Sequence, residues 1–183
     1  MTRQEAFNLL SEYTKTDGLI KHALAVEACM TAYARKYGED EESWGIVGLL
    51  HDFDYERFPT AEEHPYKGAE ILREKGVPEG WIKAIMGHAE YTGIPRDTLM
   101  AKVLFAVDEL AGMVTAVALV RPSQKVEDVK VKSVKKKLKD RSFAASVNRD
   151  DILKGTEELG ITLEEHIQFV IDAMSSVAPA LGL

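Results

Sequence analysis

The sequence predicts an all-α protein, and three observations carry that reading. Apolar residues recur at three- and four-residue spacing along most of the chain. Gly38, Gly76, Pro65, Pro78 and Pro122 punctuate those periodic stretches at their ends. Nothing alternates with a period of two for longer than Val129-Lys130-Val131-Lys132, which is too short to carry a strand.

The first helix is expected over about 3–14 and the second over about 17–37. Thr16-Asp17 can cap the second, and Gly38 ends it. Its apolar face is Leu19, Val26, Cys29, Met30 and Tyr33. A third helix, about 40–52, opens on the acidic run Glu39 to Glu42, which suits the positive end of a helix dipole, and carries the apolar stretch Trp44 to Leu50. A loop follows. Pro65 to Lys75 reads as a fourth helix ended by Gly76, and Pro78 starts a fifth reaching about Tyr91. The longest apolar helix covers about 97–120. The segment 123–140 is weakly periodic, and two more helices fit about 149–159 and 162–178.

The chain has 183 residues, 45% of them hydrophobic and 29% charged, which fits one soluble globular domain with an ample core. Its single cysteine, Cys29, excludes an internal disulfide and any paired-cysteine zinc or redox site. No apolar run is long enough for a membrane span, and the N-terminus lacks a signal-peptide core, so a cytoplasmic protein is expected. The net charge of −7 argues against a general nucleic-acid binder. That charge is unevenly spread. Residues 1–120 hold 12 basic and 20 acidic side chains, residues 121–149 hold 10 and 3, and residues 150–183 hold 1 and 7. A basic island thus lies between two acidic stretches.

His22 lies on the apolar stripe of the second helix, and His51-Asp52 ends the apolar run that starts at Gly45. Asp108 sits inside an apolar helix, and no Lys or Arg occurs between Lys102 and Arg121. A lone carboxylate buried there costs several kcal/mol, so something positive must meet it. An arginine from elsewhere in the fold would serve, and so would a metal ion. Each histidine alone reads as a hydrogen-bonded core residue; the set is what points to ligands. His166, behind Glu164-Glu165, reads as a surface or packing residue, and Cys29 as packed. The signatures of zincins, ferritin-like di-iron sites, P-loops, dinucleotide folds and serine hydrolases are absent.

In order along the chain, His22, His51-Asp52 and Asp108 resemble the H…HD…D signature of the HD superfamily of metal-dependent phosphohydrolases. The runs LIKHALAVEACM, WGIVGLLHDFDYERFP, HPYKGAEILREKG, GHAEYTG and LFAVDELAG look like its HDIG-type branch, over roughly residues 15–120. The resemblance implies an HD-domain helical bundle, a single domain over 1–183 whose core is about 15–120, with a C-terminal helical extension over about 121–183. It further implies that His22, His51, Asp52 and Asp108 bind a first metal. His64 and His88 would complete a second site, with Asp52 bridging. One or two divalent transition ions are expected, and imidazole with carboxylate does not choose among Fe, Mn, Zn, Co and Ni.

The chain departs from the HDIGK pattern of many relatives, reading His51-Asp52-Phe53-Asp54-Tyr55, so the phosphate-contacting lysine is missing. Asp52, Asp54 and Glu56 are the expected catalytic acids, with Asp54 and Glu56 placed to orient water or protonate a leaving group. Arg121, Lys137 and Arg149 of the basic island are the expected replacements for the missing phosphate contact. The GYP extension of cyclic-dinucleotide phosphodiesterases is also absent. The expected activity is cleavage of a phosphomonoester or phosphodiester, a nucleotide among the candidates, by a metal-activated water. The expected partner is a small phosphorylated substrate, with no general nucleic-acid or membrane binding and room for a homodimer. Two other readings stay open: a non-catalytic metal- or nucleotide-binding regulatory module, and a di-iron oxygenase.

Overall fold

A computed structural model describes all 183 residues. It contains ten α-helices and no strand: α1 Arg3–Tyr13, α2 Asp17–Tyr37, α3 Glu41–Leu50, α4 Tyr66–Glu74, α5 Glu79–Met86, α6 Leu99–Leu119, α7 Val131–Leu138, α8 Arg149–Leu159, α9 Leu163–Ser175 and α10 Ala178–Leu181. No helix is long and apolar enough to cross a membrane.

The two 21-residue helices, α2 and α6, pack against each other and organise the rest. On one side α3 lies along α2, with α1 over α3 and α5 between α3 and α6. On the other, α8 and α9 pack on α6, and α9 and α10 reach back to α2. Local chemistry starts several of these helices, although Thr16, at the expected cap of α2, makes no capping bond and donates its hydroxyl to Glu56 instead. Thr2 with Glu5, and Thr162 with Glu165, form reciprocal capping boxes for α1 and α9. Asp40 caps α3 through the Ser43 N–H, and Thr98 caps α6 through the Ala101 N–H.

The contact of α3 with α2 depends on Gly48. A Cβ there would fall 3.0 Å from the Val26 carbonyl oxygen, 3.1 Å from Glu27 Cα and 2.9 Å from Met30 Cγ. Only glycine lets the two backbones approach this closely.

The buried core is continuous from Ala6 to Leu181. The segment after residue 120 joins it through Val126, Val129, Val134, Ile152 and Ile167. The weakly periodic stretch resolves into a short 3-10 turn at Val126–Asp128 and the helix α7. Several expected boundaries move: the sixth helix starts at Leu99 rather than near Asp97, and the ninth stops at Ser175 rather than near 178. Two of the shifts share a cause. The third helix stops at Leu50, and the fifth stops at Met86 rather than near Tyr91. In both cases a histidine follows and turns back on its own helix. His51 Nδ1 donates to the Gly48 carbonyl at 2.7 Å, and His88 Nδ1 donates to the Ile85 carbonyl at 2.5 Å. The His51 ring takes up a carbonyl near the end of its helix, and the His88 ring shares the Ile85 carbonyl with its own backbone N–H, which donates to it at 3.2 Å.

Of the two readings of His166, surface or packing, the structure bears out packing: the residue is fully buried. Its Nε2–H donates to the Ala106 carbonyl of α6 at 2.8 Å, and its Nδ1 accepts from the Tyr33 hydroxyl of α2 at 2.6 Å. One imidazole thus ties α9 to both central helices. Burial pushes it down to about 4, so it is neutral.

Candidate metal centre

Four histidines and two aspartates converge where α2, the end of α3, the turn before α4, the end of α5 and the middle of α6 meet. They form two groups whose ligand atoms lie within 4.8 Å of one another: His22, His51 and Asp108, and Asp52, His64 and His88. In the first, Asp108 Oδ1 is 2.9 Å from His22 Nε2 and 3.3 Å from His51 Nε2. In the second, Asp52 Oδ1 is 3.2 Å from both His64 Nε2 and His88 Nε2. The other oxygen of the same carboxylate, Asp52 Oδ2, is 3.5 Å from His51 Nε2 and faces the first group. Asp52 therefore spans the two.

Three of the rings have their tautomer assigned by what lies behind them. His51 and His88 turn Nδ1 to backbone carbonyls, and His64 turns Nδ1 to Asp54 Oδ1 at 2.8 Å. With the proton on Nδ1, each Nε2 presents a lone pair to the cluster. Those lone pairs face carboxylate oxygens and one another, with His64 Nε2 and His88 Nε2 3.4 Å apart. His51 Nε2 is buried with no hydrogen-bond partner at all. Acceptors facing acceptors at this range repel unless a proton or a metal ion lies between them. The donor set of imidazole nitrogens and carboxylate oxygens therefore fits divalent transition ions.

The titration behaviour has the same origin. Burial alone would lower the His64 imidazole, but its bonds to Asp52 and Asp54 override it and hold it up at about 9. Burial likewise works against His51 and His88, and both are nonetheless raised, His51 chiefly by the charges of Asp52 and Asp108 and His88 by its bond to Asp52. Burial opposes ionisation of Asp52 and Asp108, yet the surrounding imidazoles hold both well below the usual carboxylate range. The cluster takes up protons because no other positive charge is there.

The cluster opens into a cavity of about 700 Å³. Phe105, Tyr55, Tyr91 and Val147 form apolar parts of its wall, and Glu90, Glu109 and Asp151 add carboxylates. No Lys or Arg lines it. Glu109 was not singled out in the sequence, although it follows Asp108 directly. Burial, and then the charge of Asp108, push its carboxyl up to about 7. Tyr91 also matters locally, because its hydroxyl donates to the His64 carbonyl at 2.7 Å.

Several expected site residues lie elsewhere. Glu56 is tied to the start of α2: its carboxylate accepts from the Lys15 and Thr16 N–H groups at 2.7 and 3.1 Å and from the Thr16 hydroxyl at 3.0 Å. It caps a helix and does not reach the cavity. Asp54 is buried behind His64, also outside the cavity wall. The three expected phosphate contacts are away from the cavity as well. Arg149 donates to the Ala144 and Val147 carbonyls at 2.6 Å each, to Asp140 O at 3.2 Å and to Phe143 O, and so staples its own loop. Lys137 pairs with Asp140 at 3.4 Å and covers the Phe143 ring. Arg121 lies just beyond the end of α6, its Nε buried without a partner. The island reaches the cavity only through uncharged residues of its loop, Ser146, Val147 and Asn148.

The family model described as HD domain matches residues 19–113, which contain all six residues of the cluster. No solved structure matches the chain.

Proposed function

The chain belongs to the HD domain family, and from that premise we propose that it is a metal-dependent phosphohydrolase that cleaves a small phosphomonoester or phosphodiester, a nucleotide among the candidates. The observation that carries the reading is the set of Nε2 lone pairs aimed at two carboxylates in a cavity without a single Lys or Arg. A phosphate entering that cavity meets no Lys or Arg, so ions held in the two triads would meet its charge.

His22, His51 and Asp108 would hold one ion, His64 and His88 the other, and Asp52 would share its two oxygens between them. When bound, such ions lower the pKa of a water and take up charge on a phosphoryl oxygen. The protein supplies the rest. Glu109, with its carboxyl pushed up to about 7 in the ion-free protein, is about half protonated at neutral pH and lines the same wall as the candidate ligands, which suits it to exchange a proton with a leaving oxygen. Tyr55, Tyr91, Phe105 and Val147 offer apolar surface to the body of the substrate and keep water from it.

The test is elemental analysis of protein purified without chelators, combined with a panel of phosphoesters. Bound first-row ions, and hydrolysis lost on chelation, restored by metal and absent in His51→Ala, are the expected results. Protein free of transition metal whose activity is unchanged in His51→Ala would sink the proposal. Oxygen consumption by the iron-loaded protein in place of phosphate release would favour an oxygenase, and tight ion binding without turnover a regulatory module.

A further inference from the structure

Asp54 makes no contact with the cavity, yet it is the only carboxylate hydrogen-bonded to Nδ1 of a cluster histidine. Its side chain is 1% exposed. Oδ1 accepts from His64 Nδ1 and Oδ2 accepts from the Gly68 N–H, both at 2.8 Å. The rings of His51 and His88 rest instead on neutral backbone carbonyls.

Gly68 is in the first turn of α4, whose N-cap is Pro65 and has no capping side chain. Asp54, from a turn 14 residues earlier, does that work: it accepts one of the N–H groups a helix start leaves unpaired, where the helix dipole also favours its charge. The fit allows no side chain at position 68. A Cβ there would lie 2.7 Å from Asp54 Cγ, 2.8 Å from Oδ2 and 2.9 Å from Oδ1. The backbone of His64 is held too, by the Tyr91 hydroxyl on its carbonyl.

We infer that Asp54 and Gly68 form a built second layer for one of the two ions: Asp54 is a positioning residue that holds His64 in the Nδ1–H tautomer with Nε2 turned to the second triad, and Gly68 is the residue that lets it sit there. The inference rests on the two-ion reading above. A carboxylate behind a ligating imidazole fixes ring orientation and raises the basicity of the coordinating nitrogen. A backbone carbonyl orients a ring but brings no charge. The second triad therefore binds its ion more tightly than its ligand list implies, and the two sites are unequal by construction.

The experiment is calorimetric titration of chelator-treated full-length protein with Mn²⁺ alone, alongside far-UV CD melts. Wild type is expected to take up two ions. Asp54→Asn, which keeps the shape and loses the charge, is expected to bind one ion normally and the other about 10–100-fold more weakly, the usual cost of removing an outer partner. Gly68→Ala, which keeps every charged group and displaces the Asp54 carboxylate, should weaken the same ion and spare the other. Both variants are expected to melt cooperatively. If Asp54→Asn does not fold, Gly68→Ala decides alone. Two ions bound with wild-type affinity in the variants, or equal loss of both, would overturn the inference while leaving the two-ion reading intact. A wild type that binds fewer than two ions would overturn the two-ion reading itself.

Discussion

Two buried histidine sites, built by the same central helices, have opposite chemistry. In the cluster, imidazoles turn Nε2 toward carboxylate oxygens and toward one another, and their protons or ions must come from outside. At the other site His166 is complete: a hydroxyl donates to one nitrogen and a carbonyl accepts from the other. Both sites are buried and both flank α6. What separates a candidate ligand from a structural histidine is thus the partner each nitrogen faces, and neither burial nor position on an apolar stripe reveals it.

The sharpest break between the two is a crossed pair of substitutions. Asp52→Ala removes the oxygens that face both triads, so both ions are expected to be lost. Turnover should fall by more than the about 100-fold typical of losing only an outer partner, as read by metal content and phosphate release. His166→Gln should leave ion content unchanged and lower the melting temperature. An H166Q protein with altered metal stoichiometry would erase the distinction.

The pH dependence of the ion-free protein sharpens it further, because the two kinds of histidine pull in opposite directions. His64 is held up at about 9, so the folded state binds more protons than the unfolded one above the ordinary imidazole value. Its contribution is complete below about pH 6.5 and is lost as pH rises through 9. His166 is pushed down to about 4, so the unfolded state binds more protons between pH 4 and 6.5. Its burial costs stability progressively as pH falls through that window, by about 3 kcal/mol at the acid end. Melts of chelated wild type against His64→Gln and H166Q should show the alkaline slope shrink in one variant, with His51 and His88 keeping the remainder, and part of the acid slope vanish in the other.

Arg149 gives a smaller effect of the structural kind. Arg149→Met removes a cation from four carbonyls of the 140–147 loop and is expected to cost about 2 kcal/mol in chemical denaturation. The same change should raise KM, because Ser146, Val147 and Asn148 wall the cavity. Smallest of all, Lys132→Glu or Lys136→Glu should alter stability by no more than about 0.5 kcal/mol and leave turnover unchanged. A large loss of activity there would return the basic segment to the site.

The helices were legible because their caps and apolar spacing are local properties, written within a few residues of each other. So was the cluster: His22, His51, Asp52 and Asp108 stand in a recognisable order, and Asp108 advertises itself as a carboxylate with no nearby cation. Direction was not legible. Asp54 is two residues from Asp52, yet it points to Gly68 and the back of His64. Glu56 turns to the start of α2. The basic island is conspicuous as a count of charges, but Arg149 is consumed by carbonyls and Lys135 by Glu164. His166 could have been placed by its spacing from Val170 and Ala173, which put it on the inward stripe of α9. Its partners, Tyr33 and Ala106, are 133 and 60 residues away, and no local pattern contains them.

Gly48 makes the helix pair α2–α3 a caliper. Each jaw carries one nitrogen of the first triad, His22 on α2 and His51 just past α3, and the Gly48 carbonyl also sets the angle of the His51 ring. Ionic radius is discriminated over a narrow range: donors sit about 2.0–2.2 Å from zinc or magnesium and about 2.3–2.6 Å from calcium. Adding one methyl group at position 48 would have to open the jaws by a comparable amount. On the two-ion reading, the choice of ion would therefore drift through a residue that supplies no ligand atom, leaving all six candidate ligand side chains unchanged.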